Sequence, residues 1–476
     1  MRFLIIRVLT LALGILSAGL ALYWVVDAAG IAPRALAPYV ERRAEGHNPT
    51  IVGIGQWLSR SLRSLDRGAP LQPETPRYWR SPVPAPEKGL TGRLIAVGSA
   101  DEARLAIEKA LPGDIITFAP GTYRFGGGNG YILVKQPGQP GREITVRAER
   151  AGTVLLEFNL VEGFLVAAPY WTFENLGIRG VCKDHSDCEH AFHVVAGANH
   201  FVARDNTIMD FNAQFKINAS GGAAPDHGLL EGNMMTNSGV RNTANPVTPI
   251  DLVAASHWMI RGNRISDFVK RDGNQVSYGA FAKGAGRDNR FEQNLVVCEN
   301  RLRDQPGARV GLSLGGGGTD KGSCRDGQCK AEQFGGVIQS NLIVSCSDDG
   351  IYLNQASASI VRHNTLIDTG PLVVRFPASS ADVDGNLVDS AILARNGASL
   401  HQAENLQTAV PALYLGWHPV RRLFADARAL DLRWQASPPL RQAPGVPPPD
   451  FCGGLRPLRP AYGAAEDYSR CLTTLR

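Results

Sequence analysis

Seven polar side chains recur at matching places on successive short apolar strands: Lys216, Asn218, Asp251, Lys283, Tyr352, Asn354 and Arg375, with Arg395 as an eighth. Cations, carboxamides, a carboxylate and a phenol on one surface suit an acidic sugar polymer. The reaction such a set can serve is β-elimination from a uronate. The sugar carboxylate is neutralised, the C5 proton is removed and the glycosidic oxygen leaves. A lysine crowded by other cations is a candidate base for that proton. Lys283, Lys216 and Arg375 are therefore the catalytic candidates, and Asn218, Asp251, Tyr352 and Asn354 the substrate-binding ones. Asp251, Asn218 and Glu231 offer hard oxygens, which makes Ca²⁺ the one cofactor suggested; no resident metal is assigned. His193, His227 and His257 are further acid–base candidates, although a lone histidine is more often a turn or packing residue.

These residues share a surface only if the chain is a solenoid. The phrase x-Asn-x-hydrophobic recurs at Asn175, Asn206, Asn233, Asn263, Asn294, Asn341, Asn364 and Asn386, at intervals of 31, 27, 30, 31, 47, 23 and 22 residues. The runs around it are rich in Val, Ile, Phe and Thr, as in HFVARDNTIMDF and GGVIQSNLIVSC, so each coil is strand–turn–strand. Asn tolerates the left-handed turn conformation, and stacked Asn side chains can hydrogen-bond as a ladder. The expected fold is all-β: a right-handed parallel β-helix over 95–401 with an N-terminal helical cap, preceded by a single transmembrane helix. Alternation along AFHVVAGA, QFKINASG, PIDLVAAS, AFAKGAG, IYLNQAS and VVRFPAS points the polar set outward. A slip of one residue would turn every member inward.

The flanks supply an address. Arg2 and Arg7 precede a charge-free run over 8–26, long enough to span a bilayer with its N-terminus cytoplasmic. The alternative is a cleaved signal peptide, ending near Ala21 or Ala29. Either places the bulk of the chain in the periplasm or outside the cell. Residues 1–30 are read as anchor or signal and 31–94 as a juxtamembrane region with an amphipathic helix over 50–65 and a Pro-rich linker over 66–90. Residues 99–114 read as a helix capped by Ser99 that plugs the open end of the solenoid. Residues 402–476 are a Pro-rich extension that wraps the solenoid or caps its end. The 47-residue interval is expected to hold an extra strand over 309–314 and a protruding loop.

The eight cysteines, all beyond the apolar segment, suggest disulfides in an exported chain. Cys182/Cys188 and Cys324/Cys329 would clip loops, Cys298/Cys346 would join neighbouring coils, and Cys452/Cys471 would tie the tail. The competing use is a zinc site at Cys182 and Cys188 with His185, His190 or His193. Net charge is +5, too mild for nucleic acid, and no basic run is interleaved with aromatics. Asp348–Asp349 and Asp382 with Asp384 lie beside glycine corners and read as turn residues, with the paired acids of a glycoside hydrolase as the alternative.

LPGDIITFAPGTY followed by GQPGREITVRAERAGTVLLEF resembles the opening coils of the chondroitinase-B and alginate-lyase-like proteins, and the later coils resemble the pectate-lyase type of right-handed β-helix. The resemblance implies polysaccharide lysis in which a Lys on one coil and an Arg-His-Gly on the next act together. Lys283, in Gly-Ala-Phe-Ala-Lys-Gly, is similar to the base of that family. The next strand reads Leu312-Ser313-Leu314-Gly315-Gly316 where Arg-His-Gly would stand. The functional expectation is an envelope-anchored protein that binds an acidic polysaccharide and is a candidate to cleave it. The alternatives are a non-catalytic scaffold of an envelope assembly, with a protein partner, and a glycoside hydrolase.

Overall fold

Every coil lays one strand into each of three parallel sheets. In the computed structural model, which describes residues 17, 19–68, 78–79, 92–127, 130–443 and 447–473, these sheets hold 12, 11 and 10 strands. The first sheet runs from Leu94–Val97 to Ser399–Gln402, the second from Gly121–Gly126 to Leu406–Gln407, and the third from Ile132–Val134 to Ile392–Arg395. Strand neighbours are one coil apart in sequence, so nearly all pairing is parallel and every inward side chain stacks on its counterpart. Phe164, Phe192 and Phe215 form one such inward column, with ring centroids 5.3 and 5.2 Å apart. Such layers exclude water from a thin core without large side chains at every position.

The asparagine ladder exists, one coil later than the run of phrases that announced it. The side-chain amide of Asn206 donates to Asn233 Oδ1 (3.0 Å), and the same bond links Asn233 to Asn263, then Asn294, Asn341, Asn364, Asn386 and Asn405. Each Oδ1 also accepts the backbone N–H of the asparagine one coil earlier, as Asn294 Oδ1 does from Asn263. The left-handed corner belongs to the residue before: Asp205, Gln293, Ser340 and His363 have φ of 54°, 57°, 53° and 52°. Asn175 occupies that corner itself (φ 60°), which leaves Leu176 at the ladder position, its N–H bonded to Asn206 Oδ1. The ladder therefore begins at Asn206 and ends at Asn405.

The N-terminal plug is the helix Ala100–Glu108, capped by Ser99 accepting from Glu102 N–H. It buries Ala103 and Ile107 and ends before residue 114, because Asp114 turns back to bond Leu111 N–H and Arg93. The expected extra strand near 309 is the ordinary third-sheet strand of its coil, Ala308–Leu314, paired on both sides. The surplus length lies in the loop after it, residues 315–332. Past Gln407, Val420, Phe424, Leu430, Leu432, Phe451 and Tyr468 cover Leu295, Val297, Leu342, Val344, Ile367 and Leu387 on the outside of the second sheet. The C-terminal extension thus wraps the solenoid.

Three helices precede the solenoid among the described residues: Gly19–Ala29, then Pro33–Ala44 and Pro49–Asp66, which pack together. Pro49–Asp66 was legible; Pro33–Ala44, against which it packs through Gly55 on Ala44, was not. The pair is moored by buried charge. Arg34 binds Asp66 (2.7 Å) and Asp368 (3.1 Å), and donates to the carbonyl of Cys346. The expected span over 8–26 lies mostly outside the described residues. Among those described, no single helix is long and apolar enough to cross a membrane, while Gly19–Ala29 and Pro33–Ala44, bent by 84°, pass as a pair. The Pro-rich linker is likewise mostly outside them; Tyr78–Trp79 pairs antiparallel with Leu472–Thr473.

This mooring should fail in acid. Burial alone would raise the Asp368 carboxyl, but Arg421, Arg34, Arg67 and Arg303 outweigh it and hold it at about 2. A carboxyl depressed in the folded state stabilises fully above its unfolded value and loses that contribution as pH falls through the folded one. The urea-unfolding gap between wild type and Asp368→Asn should therefore shrink by about 2 kcal/mol between pH 5 and pH 2. A gap independent of pH would mean that the carboxylate charge contributes nothing.

Candidate functional site

The third sheet carries the candidate site on its outer face. Its inward column is Val194, Ile217, Leu252, Ala282, Leu314, Leu353 and Val374, all fully buried. That fixes the neighbouring residues outward in two columns. Strand pairing aligns His193, Lys216, Asp251, Phe281, Ser313 and Tyr352 in one. The other runs through Val195, Asn218, Val253 and Lys283, and resumes as Asn354, Arg375 and Arg395. All eight residues expected on this face lie on it.

They do not form one cluster. Strands lie about 4.8 Å apart, so Lys216 stands two coils from Lys283, roughly 10 Å, and Arg375 three coils away, roughly 14 Å. Neither crowds the Lys283 ammonium. Lys216 is spent on an ion pair with Asp251 (2.9 Å). Arg375 donates to Asn396 Oδ1 (2.9 Å) and to the phenol of Tyr352 (3.4 Å), which also accepts from Asn354 Nδ2 (3.1 Å). Arg395 is held by the carbonyl of Gly30. Lys283 lies over the Phe281 ring, 4.6 Å from its centroid. It makes no ion pair or hydrogen bond among the described residues. The floor beneath it is apolar, formed by Val253, Ala254 and Phe281.

The 315–332 loop walls this floor on one side. Cys324–Cys329 clips it, and Arg325 ties it down through Asp226 (2.7 and 2.8 Å) and Ser256. Glu332 folds its root by accepting from Gly316 N–H, Thr319 N–H and the Thr319 hydroxyl. The column position between Lys283 and Asn354 is Gly315 (φ 71°), where a Cβ would fall 1.9 Å from the Asn354 carbonyl. No side chain can project there.

The oxygens proposed for Ca²⁺ do not converge. Glu231 is on the first sheet, paired with Arg261. Asn218 Oδ1 faces His193 at 2.8 Å, and Asp251 keeps one buried oxygen without a hydrogen-bond partner. No step is assigned to calcium. The zinc alternative on Cys182 and Cys188 fails because the two are disulfide-bonded, as are Cys298–Cys346 and Cys452–Cys471. His227 and His257 lie at corners with φ of 62° and 61°, stacked in series with His200 at 5.3 and 4.8 Å. They belong to the edge of the solenoid rather than its third-sheet face.

Two groups take a setting that the sequence reading did not give them, and one residue, Glu162, was not marked at all. Glu162 and His190 join His193 at the N-terminal end of the face. The alignment of AFHVV with QFKIN places His193 over Lys216, but nothing local to Glu162 marks it. Asp348 and Asp349, read as turn residues, line a pocket of about 270 Å³ with Tyr278, Tyr352, Arg375 and Arg395, bordered by Gly30, Ala32 and Ala35. Burial raises both carboxyls, and the neighbouring Asp348 raises Asp349 further. The pair favours holding one proton between them.

A solved structure shares this fold. A pectate lyase aligns with 83% of this chain and 100% of its own, at a TM-score of 0.53 and 14% identity. The fold is a pectate-lyase-like parallel β-helix. A rhamnogalacturonan lyase (67% of this chain, 87% of its own, TM-score 0.43, 13% identity) and an alginate lyase from Paenibacillus sp. (66% and 99%, TM-score 0.37, 14% identity) are also similar. No family model matches the sequence, and no curated protein does. Within the pectate-lyase-like β-helix, the third sheet presents Lys283 on its outer face, beside the looped wall.

Proposed function

We propose that the protein binds an acidic polysaccharide along the outer face of the third sheet and cleaves it by β-elimination at Lys283. The observation that carries this reading is the isolation of that ammonium. It is the only cation of the two columns with no ion pair or hydrogen bond among the described residues, and it lies on an apolar floor beside a fixed loop. Lys283 takes the C5 proton of a uronate. The C4–O bond breaks as the C4=C5 double bond forms, and the proton passes to the departing oxygen. Arg375 and Lys216, further along the face, engage carboxylates of flanking sugars. That solved polysaccharide lyases share the fold is consistent with this use.

A panel of uronic-acid polymers, with and without Ca²⁺, tests it through the far-ultraviolet absorbance of the unsaturated product. Product from at least one polymer is expected; none from any polymer would sink the lyase reading. The second reading, a glycan-binding scaffold without catalysis, is favoured by Gly315, which leaves no partner group on the coil after Lys283.

The proposed setting is the cell envelope. Leu20, Leu22, Trp24 and Val25 on the first helix and Ile51, Ile54 and Trp57 on Pro49–Asp66 are exposed apolar side chains, the pattern of a membrane-contacting segment. Deleting residues 1–30 should move the protein from the membrane fraction to the soluble one. Unchanged partition would argue against anchoring there.

A further inference from the structure

At the N-terminal end of the third-sheet face, Glu162 Oε1 is approached by two ring nitrogens at once. His193 Nδ1 lies 2.7 Å from it and His190 Nδ1 3.2 Å. One ligand atom of each of the three residues lies within 4.8 Å of the other two. The pleat builds this convergence. His190 and His193 belong to the strand His190–Val195, and Glu162 sits on the adjoining strand, paired in register with His190.

The hydrogen-bond partners fix hydrogen on one nitrogen of His193. Asn218 commits its amide to the carbonyl of Ala219 (3.0 Å), so its Oδ1 is what meets His193 Nε2 at 2.8 Å. An acceptor there requires hydrogen on Nε2. Nδ1 is then the nitrogen of His193 that turns to Glu162, and an ion held between them would take its lone pair. Tautomer fixing by an outer acceptor is the usual support of a metal-bound imidazole. The three side chains are 13–20% exposed, so a fourth position would open to solvent.

We propose that Glu162, His190 and His193 form a binding site for a divalent transition-metal ion of the zinc class. Two imidazoles and one carboxylate form a donor set suited to such an ion, with the open position left for water or a substrate oxygen. Ligands about 2.0–2.1 Å from a tetrahedral ion stand roughly 3.4 Å apart, near the 2.7 and 3.2 Å that separate Glu162 from the two imidazoles. Asn218 is a positioning residue, acting through His193. The site stands some three coils, roughly 14 Å, from Lys283, and does not depend on whether Lys283 is catalytic.

The test uses the full chain purified without a polyhistidine tag, stripped with chelator and then dialysed against micromolar Zn²⁺ at neutral pH. Retained metal is measured by mass spectrometry, and affinity by competition with a chromophoric chelator. One Zn²⁺ per chain is expected. Glu162→Gln or His193→Ala should weaken it at least about 100-fold, and Asn218→Ala by about 10- to 100-fold. Urea-unfolding midpoints confirm that the variants fold. Co²⁺ substitution in the unaltered chain should give the visible absorption of a low-coordinate nitrogen–oxygen site, a readout that needs no variant. No retained metal, or retention unchanged in His190→Ala and His193→Ala, would overturn the proposal.

Discussion

Replacing Asn294 by leucine should lower the unfolding free energy by about 5 kcal/mol, far beyond the effect of a typical single substitution. Its side chain donates to the Ile260 carbonyl and to Asn341 Oδ1, each at 2.9 Å, and accepts from Asn263 N–H (3.0 Å) and the Asn263 amide (3.1 Å). All of these groups are buried where water cannot replace the lost partner. Each orphaned donor or acceptor costs about 1–3 kcal/mol, and four are exposed to that cost at once. Leucine also overfills a corner built for a flat amide. Asn175→Leu is the control outside the ladder, and its left-handed φ of 60° costs leucine about 1 kcal/mol in its own right. That residue makes a single longer side-chain bond, 3.3 Å to Ala148, outside the ladder. Equal urea midpoints for the two variants would show that the ladder is a consequence of stacking rather than a source of stability.

The same two residues show what the sequence could and could not convey. The phrase around Asn175 matches the others, and only the coil geometry shows that it fills the left-handed corner while Leu176 holds the ladder position. Asn405, in Glu-Asn-Leu, carries the right phrase but lies where the apolar runs thin out, so its role as the last rung was hidden. Third-sheet register was legible because inward Val, Leu and Ala leave only one phase for Lys216, Asp251, Lys283 and Tyr352. Distances between coils were not. The pairing of Lys216 with Asp251, and the separation of both from Lys283, follow from strand order, which no local pattern encodes. Pro33–Ala44 was missed for a different reason. It carries an internal proline, Pro38, and its stability comes from Arg34 reaching Asp66 and Asp368, a bond across more than 300 residues. Asp348 and Asp349, an alternative acid pair in the sequence, gained a pocket only where that N-terminal segment borders them.

Lys283→Ala should reduce turnover of whichever uronate polymer proves to be cleaved by about 10²- to 10⁴-fold, the usual contribution of a general acid–base group, with little change in KM. The contrast with Lys216 gives the prediction its force. Both are lysines on the same face, two coils apart, but Lys216 is held by Asp251 at 2.9 Å while Lys283 lies over the Phe281 ring with no ion pair or hydrogen bond among the described residues. Lys216→Met leaves a buried Asp251 without its cation, so its cost should appear as lost stability and a raised KM, with kcat largely kept. Lys283→Ala removes no ion pair and should leave the urea midpoint within about 0.5 kcal/mol of wild type. Lys283→Arg separates the roles further. It keeps a cation over Phe281 but supplies a group that does not deprotonate, so binding should survive and turnover should not. If Lys283→Ala kept full turnover, the base would have to be sought elsewhere on the face, and the Asp348–Asp349 pocket would be the next place to look. If the alanine variant lost binding and turnover together, Lys283 would be a carboxylate anchor, and the scaffold reading would gain its first functional support.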